Sequence, residues 1–249
     1  MGGVHHTDTG SGTPFLLLHA FPLDSRMWDP VRAELSEHVR LITPDLPGFG
    51  RSPVPQAPPS LEATAADLVG LLDDLGVERA VVGGSSLGGY VLMAMLRAAP
   101  ERVSGAVFIG TKATADTPDA AANRETLARR AEADGVVPWL AESMLPNLLH
   151  DQTAAPALRA TIDGQSPAGV AWTARAMAVR PDSRETLRAL DLDALVVHGA
   201  HDALMPPGAG QDIADLTGAR LHVVPTAGHL PGYETPRDFL DAVIPWLAR

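Results

Sequence analysis

Three residues far apart in the chain have the types that nucleophilic acyl transfer requires: Ser86, Asp202 and His229. A serine hydroxyl is a weak nucleophile at its ordinary pKa and needs a base within hydrogen-bond reach. Histidine supplies that base and becomes a cation as it takes the proton. A carboxylate on its far side stabilises the cation and fixes the tautomer. Ser86 stands in Gly84-Ser85-Ser86-Leu87-Gly88, a G-x-S-x-G pattern. Small residues two positions either side let a very tight strand-to-helix turn close and hold the central serine at its apex. Ser85 is the adjacent rival. Its flanks are Gly83 and Leu87, and a leucine there crowds the turn, so Ser86 is the expected nucleophile. His198, His201 and Asp202 are a second group of ligating types. Their side chains diverge along a strand-to-loop segment and no distant third ligand is evident, so no metal site is expected.

The elements around these residues put them at one edge of a sheet. Ala80 to Val82 is a short β-branched run that enters the glycine corner, and Tyr90 to Ala99 is rich in good helix formers. The helix N-terminus therefore points at Ser86 and favours negative charge there. Phe15 to His19 reads as a buried strand ending in His19-Ala20-Phe21-Pro22. In acyl-transfer enzymes of this architecture one oxyanion donor comes from the loop after that strand, so the N–H groups of Phe21 and Leu87 are the expected pair. Ala194 to His198 is another strand, with Asp202 four residues beyond it, and His229 follows the strand Leu221 to Pro225. Strands also read over Val39 to Thr43 and Val103 to Gly110, with helices between. The alternation predicts an α/β fold, a mostly parallel twisted sheet flanked by helices.

The pattern breaks at Thr111. Residues 112–189 show no convincing strand and read as helices over Thr117 to Glu132, Val136 to Leu149, Ala154 to Asp163 and Pro167 to Val179. A helical stretch of that length between two sheet strands is expected to be an inserted cap, leaving residues 1–111 and 190–249 as the core. Trp139 and Trp172 are its expected pocket residues. Elsewhere, Met1 to Pro14 has room for one short edge strand, and His5 and His6 are expected at the surface. Asp45, in a loop rich in glycine and proline, is expected to bond loop N–H groups rather than act in chemistry. Ser60 caps one helix, Pro206 and Pro207 open another, and Thr235 caps the last, Pro236 to Leu247.

Composition removes whole classes. The 249 residues carry a formal net charge of −11, which argues against nucleic acid and anionic membrane partners. No cysteine is present, so disulfides and thiolate catalysis are excluded. There is neither a signal-like N-terminus nor an apolar run of spanning length. A soluble cytoplasmic chain without a cofactor, a monomer or small homo-oligomer acting on a small molecule, is expected.

Taken together, these motifs resemble the α/β-hydrolase superfamily along nearly the whole chain. The family's His-Gly-Phe-Pro loop is His19-Ala20-Phe21-Pro22, with alanine in place of the usual glycine. Its Asp-x-x-Gly-x-Gly-x-Ser loop is Asp45 to Ser52, its serine corner ends at Gly89, and its Gly-x-x-Asp segment is Gly199 to Asp202. Its Gly-His-x-Pro ending is Gly228 to Pro231. The Trp28-Asp29-Pro30 region is similar to the 3-oxoadipate enol-lactonase and small-esterase branch. The resemblance implies a serine hydrolase of a carboxylic ester or lactone. Alternatives on the same triad are carbon–carbon bond hydrolysis of a β-diketone-type substrate and cofactor-free haloperoxidase or perhydrolase activity. A slow-turnover small-molecule receptor is the alternative of another class. A serine at the corner disfavours dehalogenase and epoxide-hydrolase chemistry, which use an aspartate there.

Overall fold

The structure is a computed structural model that describes residues 3–205 and 207–249. The chain opens with β1 (His6–Thr9), β2 (Pro14–Leu18), α1 (Asp29–Ser36), β3 (Arg40–Pro44), α2 (Leu61–Asp74), β4 (Ala80–Ser85), α3 (Leu87–Ala98) and β5 (Val103–Ile109). Five helices follow without a strand among the described residues: α4 (Pro118–Asp134), α5 (Trp139–Leu148), α6 (Ala155–Asp163), α7 (Pro167–Ala178) and α8 (Arg184–Arg188). The sheet then resumes with β6 (Ala194–Gly199), α9 (Pro207–Thr217), β7 (Arg220–Val224), α10 (Pro231–Glu234) and α11 (Pro236–Leu247).

Among the described residues the strands form one seven-stranded sheet in the order β1-β3-β2-β4-β5-β6-β7. Only β1 runs antiparallel; the other neighbours are parallel. This is the α/β-hydrolase architecture, an α/β fold with a mostly parallel sheet flanked by helices. From β2 the chain steps outward to β3, then returns to β4 on the other side and proceeds to β7. The reversal between β2 and β4 is a switch point, where an open parallel sheet leaves a crevice beyond its strand ends. The loop carrying Phe21 leaves β2 and the turn carrying Ser86 leaves β4, so both open onto that crevice. Strands β4 and β6 are buried along their full length, which is why they read as continuous rather than alternating apolar runs. Phe15, Leu16, Leu17, Leu18 and Phe108 are fully buried with them, each contributing about 1.5–3 kcal/mol of transfer free energy.

Local signals account for most boundaries. The Ser60 hydroxyl accepts the Ala63 N–H and starts α2, and Thr117 does the same for Ala120 at α4. Two expectations need correction, and a third stands in part. Thr235 precedes α11, but its hydroxyl donates to the Pro231 carbonyl at 3.1 Å. The short α10 runs directly into it and offers that carbonyl one turn back, so no side-chain cap forms. His5 is not a free surface histidine: its N–H bonds Ser52 Oγ and its Nδ1–H reaches Asp45. The helix expected from Pro206 and Pro207 runs from Pro207 to Thr217, and Pro206 lies outside the described residues.

A charged knot ties the ends of the helical segment together and reaches α3. Asp116 (side chain 1% exposed) pairs with Arg180 at 2.8 Å and with Arg124, and Lys112 approaches at 3.4 Å. The Arg180 guanidinium lies 4.0 Å above the ring of Tyr90 on α3. Burial alone raises the Asp116 pKa, but the bonds from Arg180 and Arg124 outweigh it and hold the carboxyl well below the usual range. A carboxylate depressed on folding stabilises the fold above its unfolded pKa of about 4, and that stability is lost as pH falls through the lower folded value. Thermal midpoints of the parent protein are therefore expected to drop below about pH 4, and Asp116→Asn to be less stable near neutrality with a flatter acid limb. An Asp116→Asn curve parallel to the parent's would contradict this.

Candidate active site

Ser86 follows β4 and starts α3 with φ 52° and ψ −107°, among the described residues the only non-glycine at positive φ. Such a backbone costs on the order of 1–3 kcal/mol and persists only where its surroundings enforce it. They do so by close approach. A Cβ on Gly84 would stand 2.2 Å from the Gly88 carbonyl oxygen, and one on Gly88 would stand 2.5 Å from the Leu18 carbonyl oxygen. The Ser86 N–H donates to Ile109 O at 2.9 Å, and Thr111 Oγ1–H donates to Ser86 O at 2.9 Å. Ser85 ends β4 with no exposed surface, whereas Ser86 keeps 8%. The geometry thus separates the two serines as the spacing of glycines does.

The Asp202 carboxylate is divided between two tasks. Oδ1 accepts the N–H groups of Leu204 at 2.9 Å and Met205 at 2.8 Å. Oδ2 faces His229 Nδ1 at 2.8 Å. With Nδ1–H donated to a carboxylate, the lone pair of the imidazole is on Nε2. That nitrogen is buried and without a hydrogen-bond partner, so no bond to Ser86 Oγ is formed in this state. Catalytic bonds of this kind commonly close only once substrate is bound.

Residues 109–111 link the two halves. They bond Ser86 on one side. On the other, Gly110 (φ +48°) packs so closely that a Cβ would come within 2.8 Å of His229 O and 3.4 Å of Asp202 Oδ2. Gly110 and Thr111 were not singled out in the sequence; a glycine ending an apolar strand was the signal for the first.

The Phe21 loop is pinned by its neighbours. The Ala20 N–H donates to the Met27 thioether at 3.1 Å, and its carbonyl accepts Leu23 N–H at 2.9 Å and His19 Nδ1–H at 3.0 Å. His19 Nε2 in turn accepts Leu46 N–H at 2.8 Å. Burial pushes the His19 pKa down, in keeping with a neutral ring that donates at Nδ1 and accepts at Nε2. The alanine methyl is fully buried and accommodated. Among the described residues the N–H groups of Phe21 and Leu87 have no acceptor. Asp45 plays the expected loop role: it accepts Ser25 N–H at 3.0 Å and Arg51 N–H at 2.9 Å. Burial raises its pKa, but these bonds outweigh it and hold the carboxyl low.

The remaining candidates make other contacts. Trp139 is half-buried against the Arg130 guanidinium at 4.2 Å and donates Nε1–H to Gly135 O. Trp172 donates Nε1–H to Ala57 O in the proline-rich connector. Leu148, at the end of α5, reaches the site from the helical segment: its carbonyl accepts the His229 N–H. His198 Nε2–H donates to Met205 O at 2.5 Å and lies 3.6 Å from Asp202 Oδ2, while the His201 ring stacks on His150. Among the described residues no three ligating side chains are arranged to hold a metal ion, and no helix is long and apolar enough to cross a membrane. A groove of about 430 Å³ between α5 and α6, lined by Leu145, Pro156 and Arg159 among others, includes none of the site residues.

Known proteins share this fold. The α/β hydrolase family model matches residues 15–242. A thermophilic esterase from Thermogutta terrifontis, solved with malate bound, superimposes with a TM-score of 0.95 at 40% identity over 98% of this chain and 93% of that one. The enol-lactonase of Burkholderia xenovorans gives a TM-score of 0.90 at 26% identity over 99% and 96%. Among curated proteins, a pimeloyl-[acyl-carrier protein] methyl ester esterase of Nitrosomonas europaea is 30% identical over 97% of this chain and 98% of its own length. A 2-hydroxymuconate semialdehyde hydrolase of a Pseudomonas strain is 28% identical over 97% and 89%. With the family model spanning nearly all of the sheet and its loops, the chain belongs to the α/β-hydrolase family of enzymes.

Proposed function

We propose that the protein hydrolyses a small carboxylic ester or lactone through an acyl-enzyme. The observation that carries this reading is the His229–Asp202 bond, which leaves a buried, unpartnered Nε2 at the same strand ends as a strained serine. Ser86 Oγ attacks the acyl carbon as His229 Nε2 takes its proton. The N–H groups of Phe21 and Leu87 receive the charge on the carbonyl oxygen, each donor being worth about 3 kcal/mol. Collapse breaks the bond to the alkoxy group, which leaves with the proton from His229; in a lactone it stays tethered to the acyl group. A water then loses a proton to His229, attacks the acyl carbon and releases the acid, restoring the serine. Residues 112–189 act as a cap over the core of residues 1–111 and 190–249, with Trp139 and Trp172 as candidates for its pocket wall. The net charge of −11 fits an enzyme without nucleic-acid or anionic-membrane partners, and we take it to be cytoplasmic, a monomer or small homo-oligomer.

A second reading, hydrolysis of a carbon–carbon bond by the same residues, is favoured by the 2-hydroxymuconate semialdehyde hydrolase relative. Turnover of p-nitrophenyl acetate and butyrate, a five-membered enol-lactone and a vinylogous 1,5-diketone separates the two. The ester or lactone is expected to have the highest kcat/KM. Turnover of the diketone alone would replace the first reading by the second.

A further inference from the structure

The turn that leaves α5, residues 148–151, is fastened to both loops of the His–Asp pair. On the histidine side, His229 N–H donates to Leu148 O at 3.1 Å. The Glu234 carboxylate then joins the two chains: Oε1 accepts Gly228 N–H at 2.8 Å and Asp151 N–H at 3.5 Å, and Oε2 accepts His150 N–H at 3.0 Å. The chains lie so close that a Cβ on Gly228 would stand 2.6 Å from the His150 nitrogen. On the acid side, the His150 ring stacks on that of His201, the residue before Asp202, with centroids 3.8 Å apart and planes 8° from parallel. An acidic side chain one helical turn past the histidine thus spends its acceptors on the main chain of two separate segments. Carboxylate bonds to backbone N–H groups are charge-assisted and among the stronger ones.

We propose that Glu234 is a positioning residue for His229: it clasps the histidine loop to the exit turn of α5, so that the helical segment sets the place of the base. The inference rests on the reading of His229 as general base. Its consequences differ from those of a residue that only stabilises the fold. Loss of the clasp displaces the imidazole without touching the substrate, so kcat falls while KM holds, and misplacement of about 1 Å costs up to about a hundredfold.

The test compares the parent protein with Glu234→Ala and Glu234→Gln. The readouts are kcat and KM on p-nitrophenyl butyrate, the thermal midpoint, and the low-field proton resonance of the His229 Nδ1–H bonded to Asp202. The amide keeps the shape but turns an NH2 group toward one of the backbone N–H groups, so its effect is intermediate. The expected result is a loss in kcat of about tenfold or more for alanine and less for glutamine, with KM within twofold. The resonance broadens in the same order. Parental kcat and an unchanged resonance in either folded variant would overturn the proposal. Where alanine does not fold, glutamine alone decides in the same way. Absence of turnover and of the resonance in the parent protein would instead overturn the reading of the triad.

Discussion

Ser86→Ala is expected to fold like the parent protein and to lose ester turnover by roughly 10⁶-fold, as when the nucleophile of a serine hydrolase is removed. Alanine meets the same positive φ as serine and fills the same turn, so it neither relieves nor adds backbone strain. What is lost is the atom that forms the acyl-enzyme. The oxyanion donors and the pocket remain, leaving a residual of about 10³–10⁴ over water. The check is kcat on p-nitrophenyl butyrate beside the circular dichroism spectrum and thermal midpoint of each protein. Turnover within tenfold of the parent's by a folded Ser86→Ala would move the nucleophile elsewhere. Ser85 is ill placed for that role, since its hydroxyl is buried and unpartnered at the end of β4.

Asp202→Asn is expected to lower kcat by about 10⁴ with KM nearly unchanged. The geometry gives a specific reason. The N–H groups of Leu204 and Met205 both point at Oδ1, so an asparagine places its oxygen there and its NH2 toward His229. The imidazole must then accept at Nδ1 and carry its proton on Nε2. A histidine protonated on Nε2 cannot take the proton of Ser86. Stability falls little, because the side chain keeps its shape and its bonds to the 204–205 turn. Steady-state kinetics of the folded variant, with His229 nitrogen shifts reporting the tautomer, check the argument. A loss of less than tenfold would show that Asp202 does not orient the base.

The sheet was legible, and the residues proposed for the site could be named, because their signals are local. The glycines around Ser86 exist to let β4 and α3 meet, and the apolar runs of β4 and β6 are continuous because both faces are covered. Asp202 and His229 stand one short loop past their strands, so finding the strand finds the residue. The parts that stayed hidden depend on long-range contacts. Gly110 matters because of what lies beside it, carbonyl and carboxylate oxygens more than 90 residues away. Glu234 reads as an ordinary acidic residue before a helix until the 148–151 turn is seen against it. The partners of the two cap tryptophans were equally hidden: the indole N–H of Trp139 stays within the helical segment and that of Trp172 reaches the connector near Ala57. Thr235 shows the opposite failure. A residue of the right type at a helix start was claimed by a carbonyl one turn earlier, from a helix too short to show in the sequence.

The measurement that bears most directly on the central claim is the intact mass of the protein after treatment with a fluorophosphonate, taken for the parent and for Ser86→Ala. Only a serine activated by a neighbouring base and facing an oxyanion hole reacts readily with such a reagent. The account predicts one adduct on the parent protein and none on the variant. An unmodified parent that is fully folded, or an adduct that persists in Ser86→Ala, would contradict it.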